Sequence, residues 1–596
     1  MFSLACDVGT ASLRVAVFEI SIDNDDSNDL DDRKNHRYHF NSKPIASSIE
    51  SIPIYHKNEN NYEQKTDDIW RAFCNACKNC FNQLQQSLGD ANRSLLLLSS
   101  NSFPIKTIGF TGTCSLVIVD DHNDNNAEDD LERTFMDECD IIMWMDHRAN
   151  KEAEIIDQTR DSVLEQFGGK CSPEFSLAKL FWMFRNQNER FKSAKAFMEL
   201  PDWLCYRCSN YFGVPERFPR SHCSLVCKWG YDGEHSLWRA NLFDSLGMNL
   251  DQLESKIGKN VQKPGSFIGF LSITAANEIG FVSEANHSIA DTIILSSSLI
   301  DAHAGALSML AFYRNTMKFF DYENILSMIA GTSTCQLILN KNRIKTQGVW
   351  GPYFEAILPQ YYLREAGQTS TGKLIEQLIR LYHNDPNEIE NIENVIIDLN
   401  QSLGNRKCHR TKLIINPTFY GNRSPKANSS LKGAVYGLTL QSPPLLDLYL
   451  AILESIAYEN KLIIEELEQQ NTEKISKILV SGGLTKNTIF LQTTADVLGR
   501  PLLFYEIDDA DHTLIGASLL SLGAYYHRNL SNKSMSDFIK NQSNLTEILD
   551  RIKIDKIKTK IFEPNLLQQD YHRRKYLSYR KLLDCCLEME KILSDI

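Results

Sequence analysis

The chain has 596 residues, 42% of them hydrophobic, 10% aromatic and 23% charged, with a net charge of −13 at pH 7. That length exceeds one hydrophobic core, so two or more globular domains are expected; the acidic balance argues against nucleic acid or an acidic membrane surface as main partner. No run of eighteen apolar residues offers a membrane span, and "FSLACDVGT" lacks the basic and apolar regions of a secretory signal, so a cytoplasmic location is expected.

At the N-terminus, "LACDVGTASLRVAVFEI" (4–20) reads as two strands flanking a tight Asp7-Val8-Gly9-Thr10 turn. Residues 21–44 and 120–140 are rich in Asp and Asn and read as long hairpin loops; neither has the ligand order of an EF-hand. "FCNACKNC" spaces Cys74, Cys77 and Cys80 along one helical stripe, and "LCYRC" holds Cys205 and Cys208. Buried reduced thiols are expected at both, rather than zinc or disulfides, because no knuckle turn or histidine pair accompanies them. Strand patterns at 107–110, 115–119, 291–297, 324–330, 334–339 and 475–480 alternate with helix patterns at 176–186, 445–468, 487–498 and 514–527. That alternation predicts an α/β architecture. The last sixty residues read as mostly helical and charged.

Four features carry chemistry. "VGTASLRVAVF" from Val8 and "AGTSTCQLILN" from Ala330 share a strand, a Gly-Thr turn and a second strand, one in each half of the chain. A duplication is expected from this, each turn offering backbone N–H groups and a hydroxyl to a phosphate. "EAGQTSTGKL" nearly spells a P-loop from Gly367 to Lys373, but Leu374 stands where the magnesium-binding hydroxyl belongs; a capped helix start is the simpler reading. "TIILSSSLIDAHAGALSML" sets Asp301 between a strand and a helix, where an aspartate serves as N-cap or catalytic group, with His303 as a packed histidine. Gly482-Gly483 forms a strand-to-helix turn that suits either a tight connection or a flat nucleoside against the backbone.

Together these segments resemble the FGGY carbohydrate kinases over nearly all of residues 2–527. The resemblance rests on "DVGTASLRVAVFE", "MWMDHRA" (143–149), "GGKCSPEFSLAKLFW" (168–182), "DAHAG" (301–305), "AGTST" (330–334), "FYGNRSP" (419–425), "KGAVYGLTL" (432–440) and "VSGGLTKNTIFLQTTADVLG" (480–499). "TGTCSLVIVD" (111–120) and "REAGQTSTG" (364–372) are most similar to the D-ribulose kinase branch, although Gly112 stands where the family often has Asp or Ala. The resemblance implies two duplicated ribonuclease-H-like domains of the actin/hexokinase/Hsp70-like ATPase superfamily with an interdomain active-site cleft. The boundaries drawn from sequence are 1–290 and 291–530, with 531–596 as a helical extension. It also implies transfer of the ATP γ-phosphoryl group to the terminal hydroxyl of a pentulose, D-ribulose first, with L-ribulose, D-xylulose or a pentitol such as ribitol as alternatives.

By the same resemblance, Asp301 is the general base and Asp7 the Mg²⁺ contact. Gly9, Thr10, Arg14, Gly331 and Thr332 bind phosphate, while Gly421, Gly482, Gly483 and Asn487 line the nucleoside pocket. Thr113, Ser115, Lys228 and Glu365 contact the sugar, with a packed lysine stem as the plainer reading of Lys228. Asp146 and Arg148 either brace the N-terminal domain or lie near the sugar. A catalytically silent scaffold would not need Asp301. A chaperone ATPase would need a peptide-binding domain larger than residues 530–596 supply. ATP and a sugar are the expected partners, with the oligomeric state, a homodimer included, left open.

Overall fold

The computed structural model describes residues 1–22, 37–58, 60–87, 103–120, 139–281, 291–317, 321–382, 392–404, 410–441, 443–469, 474–507, 511–530 and 545–593. The Asp/Asn-rich stretches at 21–44 and 120–140 lie largely outside the described residues. The chain divides into two compact units, one of Met1–Asp321, Pro352–Leu363 and Ile507–Ile557, the other of Tyr322–Gly351, Arg364–Glu506 and Lys558–Ile596.

In chain order, β1 (Phe2–Val8) and β2 (Ser12–Ile22) form an antiparallel hairpin, and β3 (Ala46–Ser51) pairs antiparallel with β2. Helix α1 (Thr66–Ser87) leads to β4 (Ile105–Gly112), parallel to β1. Helices α2 (Ser176–Asn186) and α3 (His222–Lys228) precede β5 (Ile294–Ser296) and β6 (Leu299–Ile300), both parallel to β4. Helix α4 (Asp301–Thr316) follows β6 without a break.

The second unit repeats the plan. Strands β7 (Ile325–Ala330) and β8 (Thr334–Asn340) are an antiparallel hairpin, flanked on the β8 side by β9 (Tyr362–Gln368). Helices α5 (Gly372–Tyr382) and α6 (Leu445–Gln469) lead to β10 (Lys477–Ser481), parallel to β7; after α7 (Thr488–Leu498), β11 (Leu502–Glu506) lies parallel to β10. The spatial orders β3-β2-β1-β4-β5 and β9-β8-β7-β10-β11 are the same, so the paired Gly-Thr turns do mark a duplicated α/β fold.

β1 and β4 are buried almost throughout because both faces of the first sheet are covered. Leu4, Cys6, Val8 and Phe110 pack with Ile69, Phe73 and Cys77 of α1, which carries Cys74, Cys77 and Cys80 as the expected buried stripe. Cys205 and Cys208 are likewise buried in a helix, Leu200–Cys208. The opposite face is lined by small residues and takes α8 (His512–Leu530), whose Ser521 hydroxyl lies 2.9 Å from those of both Ser3 and Thr107. A Cβ on Gly109 would sit 1.9 Å from the Ala517 carbonyl oxygen, so only glycine lets α8 seat this closely. α8 packs against α4 as tightly, a Cβ on Gly516 meeting the Ala304 oxygen at 2.1 Å.

This packing corrects the boundaries read from sequence. Residues 291–321 and 507–557 belong to the first unit, since β5 and β6 extend its sheet and α8 covers it. The tail is not purely helical. Ile552–Ile554 pairs with Tyr38–Phe40 in the first unit, and β12 (Lys558–Phe562) pairs antiparallel with β11 in the second. Helix α9 (Gln569–Leu593) then packs in the second unit, where Lys575 pairs with the buried Glu454. No helix among the described residues is long and apolar enough to cross a membrane.

Candidate active site

The first unit gathers three predicted groups at the carboxyl ends of parallel strands, where α/β sheets place ligands. Asp7 sits one residue from the end of β1 and is level with Thr111 of β4. Thr113 lies just past β4, its N–H donating to the Val8 carbonyl at 2.9 Å. Asp301 starts α4 directly after β6, whose Ile300 is level with Gly112.

Asp7 is fully buried and level with Arg14 across the hairpin, which puts both side chains on one face of the sheet. Arg14 donates to Asp7 Oδ2 and, through its other terminal nitrogen, to Asp511. Asp511 in turn caps α8, accepting from the Leu514 N–H at 3.0 Å. Asp7 Oδ1 is buried with no hydrogen-bond partner. An orphaned carboxylate oxygen at the end of a strand is an unsatisfied hard donor, so Asp7 fits a magnesium or its bound water.

Asp301 accepts the Ala302 N–H at 2.7 Å, a bond within the first turn of α4. Burial, and next the charge of Asp7, push its carboxyl up to about 6; the Ala302 N–H, His303 and Arg14 pull the other way without cancelling the rise. A carboxylate with a pKa near 6 is a better proton acceptor at neutral pH than an ordinary aspartate. Asp301 is the first residue of α4 and not its N-cap, a position that Ile300 takes without a side-chain bond, so the cap role read from the sequence does not hold.

In the first hairpin, the Gly9 N–H bonds to the Ser12 carbonyl at 2.9 Å. The Thr10 hydroxyl accepts from the Trp144 indole at 3.1 Å and its carbonyl from the Gln64 amide. Trp144 belongs to "MWMDHRA", and its backbone N–H donates to the Ser115 hydroxyl at 3.1 Å, which lies 3.2 Å from that of Thr113. Thr10, Trp144, Ser115 and Thr113 thus form one hydrogen-bonded string. Lys228, at the end of α3, is buried with its ammonium 5.3 Å from the centre of the Phe175 ring, in keeping with a packed stem. Arg148 grips Asp146 through two nitrogens at 2.9 and 2.7 Å and Glu63 at 2.8 Å, so this pair braces the unit.

The second unit holds the remaining predicted residues. The Gly331 N–H donates to the Ser333 carbonyl at 2.8 Å. The Gly331 and Thr332 carbonyls are held by the N–H groups of Gly372, Thr371 and Lys373 at 3.0, 2.9 and 3.3 Å. Those are the donors a P-loop would turn to phosphate, so "GQTSTGK" serves as a buttress for the second Gly-Thr turn. Gly482 has φ +97° at the end of β10, and a Cβ there would lie 2.4 Å from the Ala330 oxygen. Gly483 faces open space. Asn487 caps α7 through the Phe490 N–H at 3.0 Å and donates to the Tyr449 hydroxyl at 2.7 Å, so both ends of its amide are engaged. Gly421 has φ +74° in a loop whose carbonyl accepts from Thr369. Glu365 is buried on β9.

Two polar residues escaped the sequence reading. Lys179 is buried inside α2, where burial lowers its pKa against the pull of Asp146, Glu199 and Glu174; it donates to the carbonyls of Met143, Trp144 and Glu174 at 2.6, 3.1 and 3.1 Å. It therefore fixes the loop that carries Trp144. Asp511 lies 497 residues from Arg14 along the chain, and no local pattern links them.

The models for the N- and C-terminal domains of the FGGY family of carbohydrate kinases match residues 38–254 and 326–525. An FGGY carbohydrate kinase domain-containing protein of Homo sapiens is 31% identical, the match covering 100% of this chain and 98% of the relative. A D-ribulokinase of Saccharomyces cerevisiae is 28% identical over 88% of this chain and 72% of its own length. Among solved structures, a xylulose kinase from Brucella ovis superposes with a TM-score of 0.69 at 16% identity, covering 99% of this chain and 100% of that one. Glycerol kinase of Plasmodium falciparum with ADP gives 0.65 at 16% identity, covering 98% of each. With a duplicated fold, an aspartate at a strand-to-helix junction and a relative 31% identical over the whole of it, the chain belongs to the FGGY family of carbohydrate kinases and is an ATP-dependent sugar kinase.

Proposed function

We propose that the enzyme phosphorylates the terminal O5 hydroxyl of D-ribulose, giving D-ribulose 5-phosphate. The observation that carries the chemistry is the pair of carboxylates at the ends of the two strands that flank β4, Asp301 with its raised pKa and Asp7 with its orphaned oxygen. Asp301 accepts the hydroxyl proton as the O–P bond forms, a step worth about 10²–10⁴-fold in rate. Asp7 is the residue that would hold Mg²⁺; when bound, the ion neutralises charge on the phosphate oxygens. Gly9, Thr10 and Arg14 in the first unit, and Gly331 and Thr332 in the second, bind phosphate oxygens; Gly421, Gly482, Gly483 and Asn487 line the nucleoside side. Thr113 and Ser115 meet sugar hydroxyls and Glu365 adds a polar contact, while Lys228 packs against Phe175.

D-ribulose is favoured by the similarity to a D-ribulokinase and by "TGTCSLVIVD" at the Thr113–Ser115 string. The test is ADP release over a panel of D-ribulose, L-ribulose, D-xylulose, ribitol and glycerol. A kcat/KM preference for D-ribulose is expected. A preference for L-ribulose, D-xylulose or a pentitol overturns the substrate assignment and leaves the kinase chemistry standing.

A further inference from the structure

Outside the carboxylates, the first unit contains a second convergence of chemical groups. Cys223 and Cys227 stand one helical turn apart on α3 and project toward the first turn of α4, where His303 sits. All three residues are buried, and their ligand atoms lie within 4.8 Å of one another. Cys223 Sγ is 3.0 Å from His303 Nδ1. Among the described residues, no other group of three or more His, Cys, Asp or Glu converges this closely. The cysteine stripes at 74–80 and 205–208, which look more like metal motifs in the sequence, form no such group among the described residues.

We propose that Cys223, Cys227 and His303 form a site for a thiophilic divalent cation, with Zn²⁺ as its natural occupant. Two sulfurs and one imidazole nitrogen are the donor set of zinc and exclude magnesium, which demands oxygen ligands. Around a tetrahedral zinc with Zn–S of about 2.3 Å and Zn–N of about 2.0 Å, donors stand roughly 3.5–3.8 Å apart. The present spacing therefore closes on an ion by changes in separation of about 1 Å or less, and three protein ligands leave a fourth position for an exchangeable ligand. Binding is balanced by proton release: each thiol gives up its proton to solvent as its sulfur bonds the metal, and the imidazole binds in its neutral form. An occupied site ties α3 to the turn of α4 that begins with Asp301, two residues from His303.

The full-length protein, freed of metal with a chelator and kept in a phosphine reductant, is titrated with Co²⁺ and then Zn²⁺. The expected result is one equivalent of Co²⁺ bound with a near-ultraviolet thiolate charge-transfer band and tetrahedral visible bands, displaced by Zn²⁺. Cys227→Ser and Cys223→Ser should each lose the charge-transfer intensity, while Cys205→Ser, a buried thiol elsewhere, should keep it. A wild-type protein without thiolate-to-cobalt bands overturns the proposal, as do bands that survive both substitutions. Should Cys223→Ser fail to fold, Cys227→Ser and proton release on Zn²⁺ binding to wild type still decide it. Release of about two protons per ion near neutral pH supports the site, and no release refutes it.

Discussion

Replacing Asp301 with asparagine separates what the carboxylate does for chemistry from what it does to the fold. The isosteric amide keeps an oxygen for the Ala302 N–H, so the first turn of α4 retains its bond. The rise of the carboxyl from 3.8 to about 6 means that ionised Asp301 is disfavoured in the folded protein. Taken whole, that rise corresponds to about 3 kcal/mol above pH 7. Asp301 is partly exposed, and solvent screening brings the expected effect to about 1–2 kcal/mol. The sign follows from linkage: the folded state holds this proton more tightly than the unfolded one, so the contribution to stability is present below the ordinary carboxylate range and is lost as pH rises through about 6. Asp301→Asn should therefore unfold at a higher temperature than wild type at pH 8. The gap should narrow between pH 6 and pH 4 and close below that, read by calorimetry in magnesium-free buffer. The same variant should lose about two to four decades of kcat. An asparagine variant no more stable than wild type at pH 8, with no dependence of the gap on pH, would refute the claim that burial beside Asp7 sets the carboxyl.

Further outcomes follow from the same geometry. The acidic limb of kcat/KM should fall off with a midpoint near pH 6 in wild type, as Asp301 takes up its proton; a midpoint near 4 would remove burial from the account. Asp7→Asn should raise the magnesium concentration needed for half-maximal rate, and an unchanged titration would count against a metal role. Gly331→Ala has room for its methyl group, the nearest atom being 3.7 Å away, so the fold should be unaffected while KM for ATP rises; unchanged ATP kinetics would clear this turn of phosphate binding. Gly482→Ala meets the Ala330 oxygen at a left-handed φ, and should lower stability by more than about 1 kcal/mol by denaturant titration.

The parts of the site legible in the sequence are those whose chemistry is local. A Gly-Thr turn between two apolar runs announces a hairpin, and its second copy at Gly331 announces the duplication that the matching strand orders display. Asp301 is legible because a strand, an aspartate and a small-residue helix stand next to one another. What periodicity does not record is which surface a helix covers. The pattern of residues 514–527 marks a helix with buried faces, but only Gly109 and Gly516, seen in place, assign it to the first unit. Likewise "SLVCKWG" and "DAHAG" are unremarkable apart, and the Cys223–His303 contact spans 80 residues. The P-loop-like segment misleads for the converse reason: its glycine, threonines and lysine are real turn chemistry, but their N–H groups serve the Gly331 and Thr332 carbonyls.

The seat of α8 on β4 also bears on how the chain is made. β1 is synthesised early relative to the helix that covers its second face, which lies more than 500 positions later in the chain. The first unit cannot close until α8 is made; the nascent sheet must wait through residues 322–351 and 364–506 of the second unit with the Ser3, Thr107 and Gly109 face uncovered. Such long-range closure is slow and leaves an unpaired face of the sheet open to association. A truncation at residue 290 would make that interval permanent, giving a protein that depends on holdase chaperones or aggregates rather than an isolated folded unit.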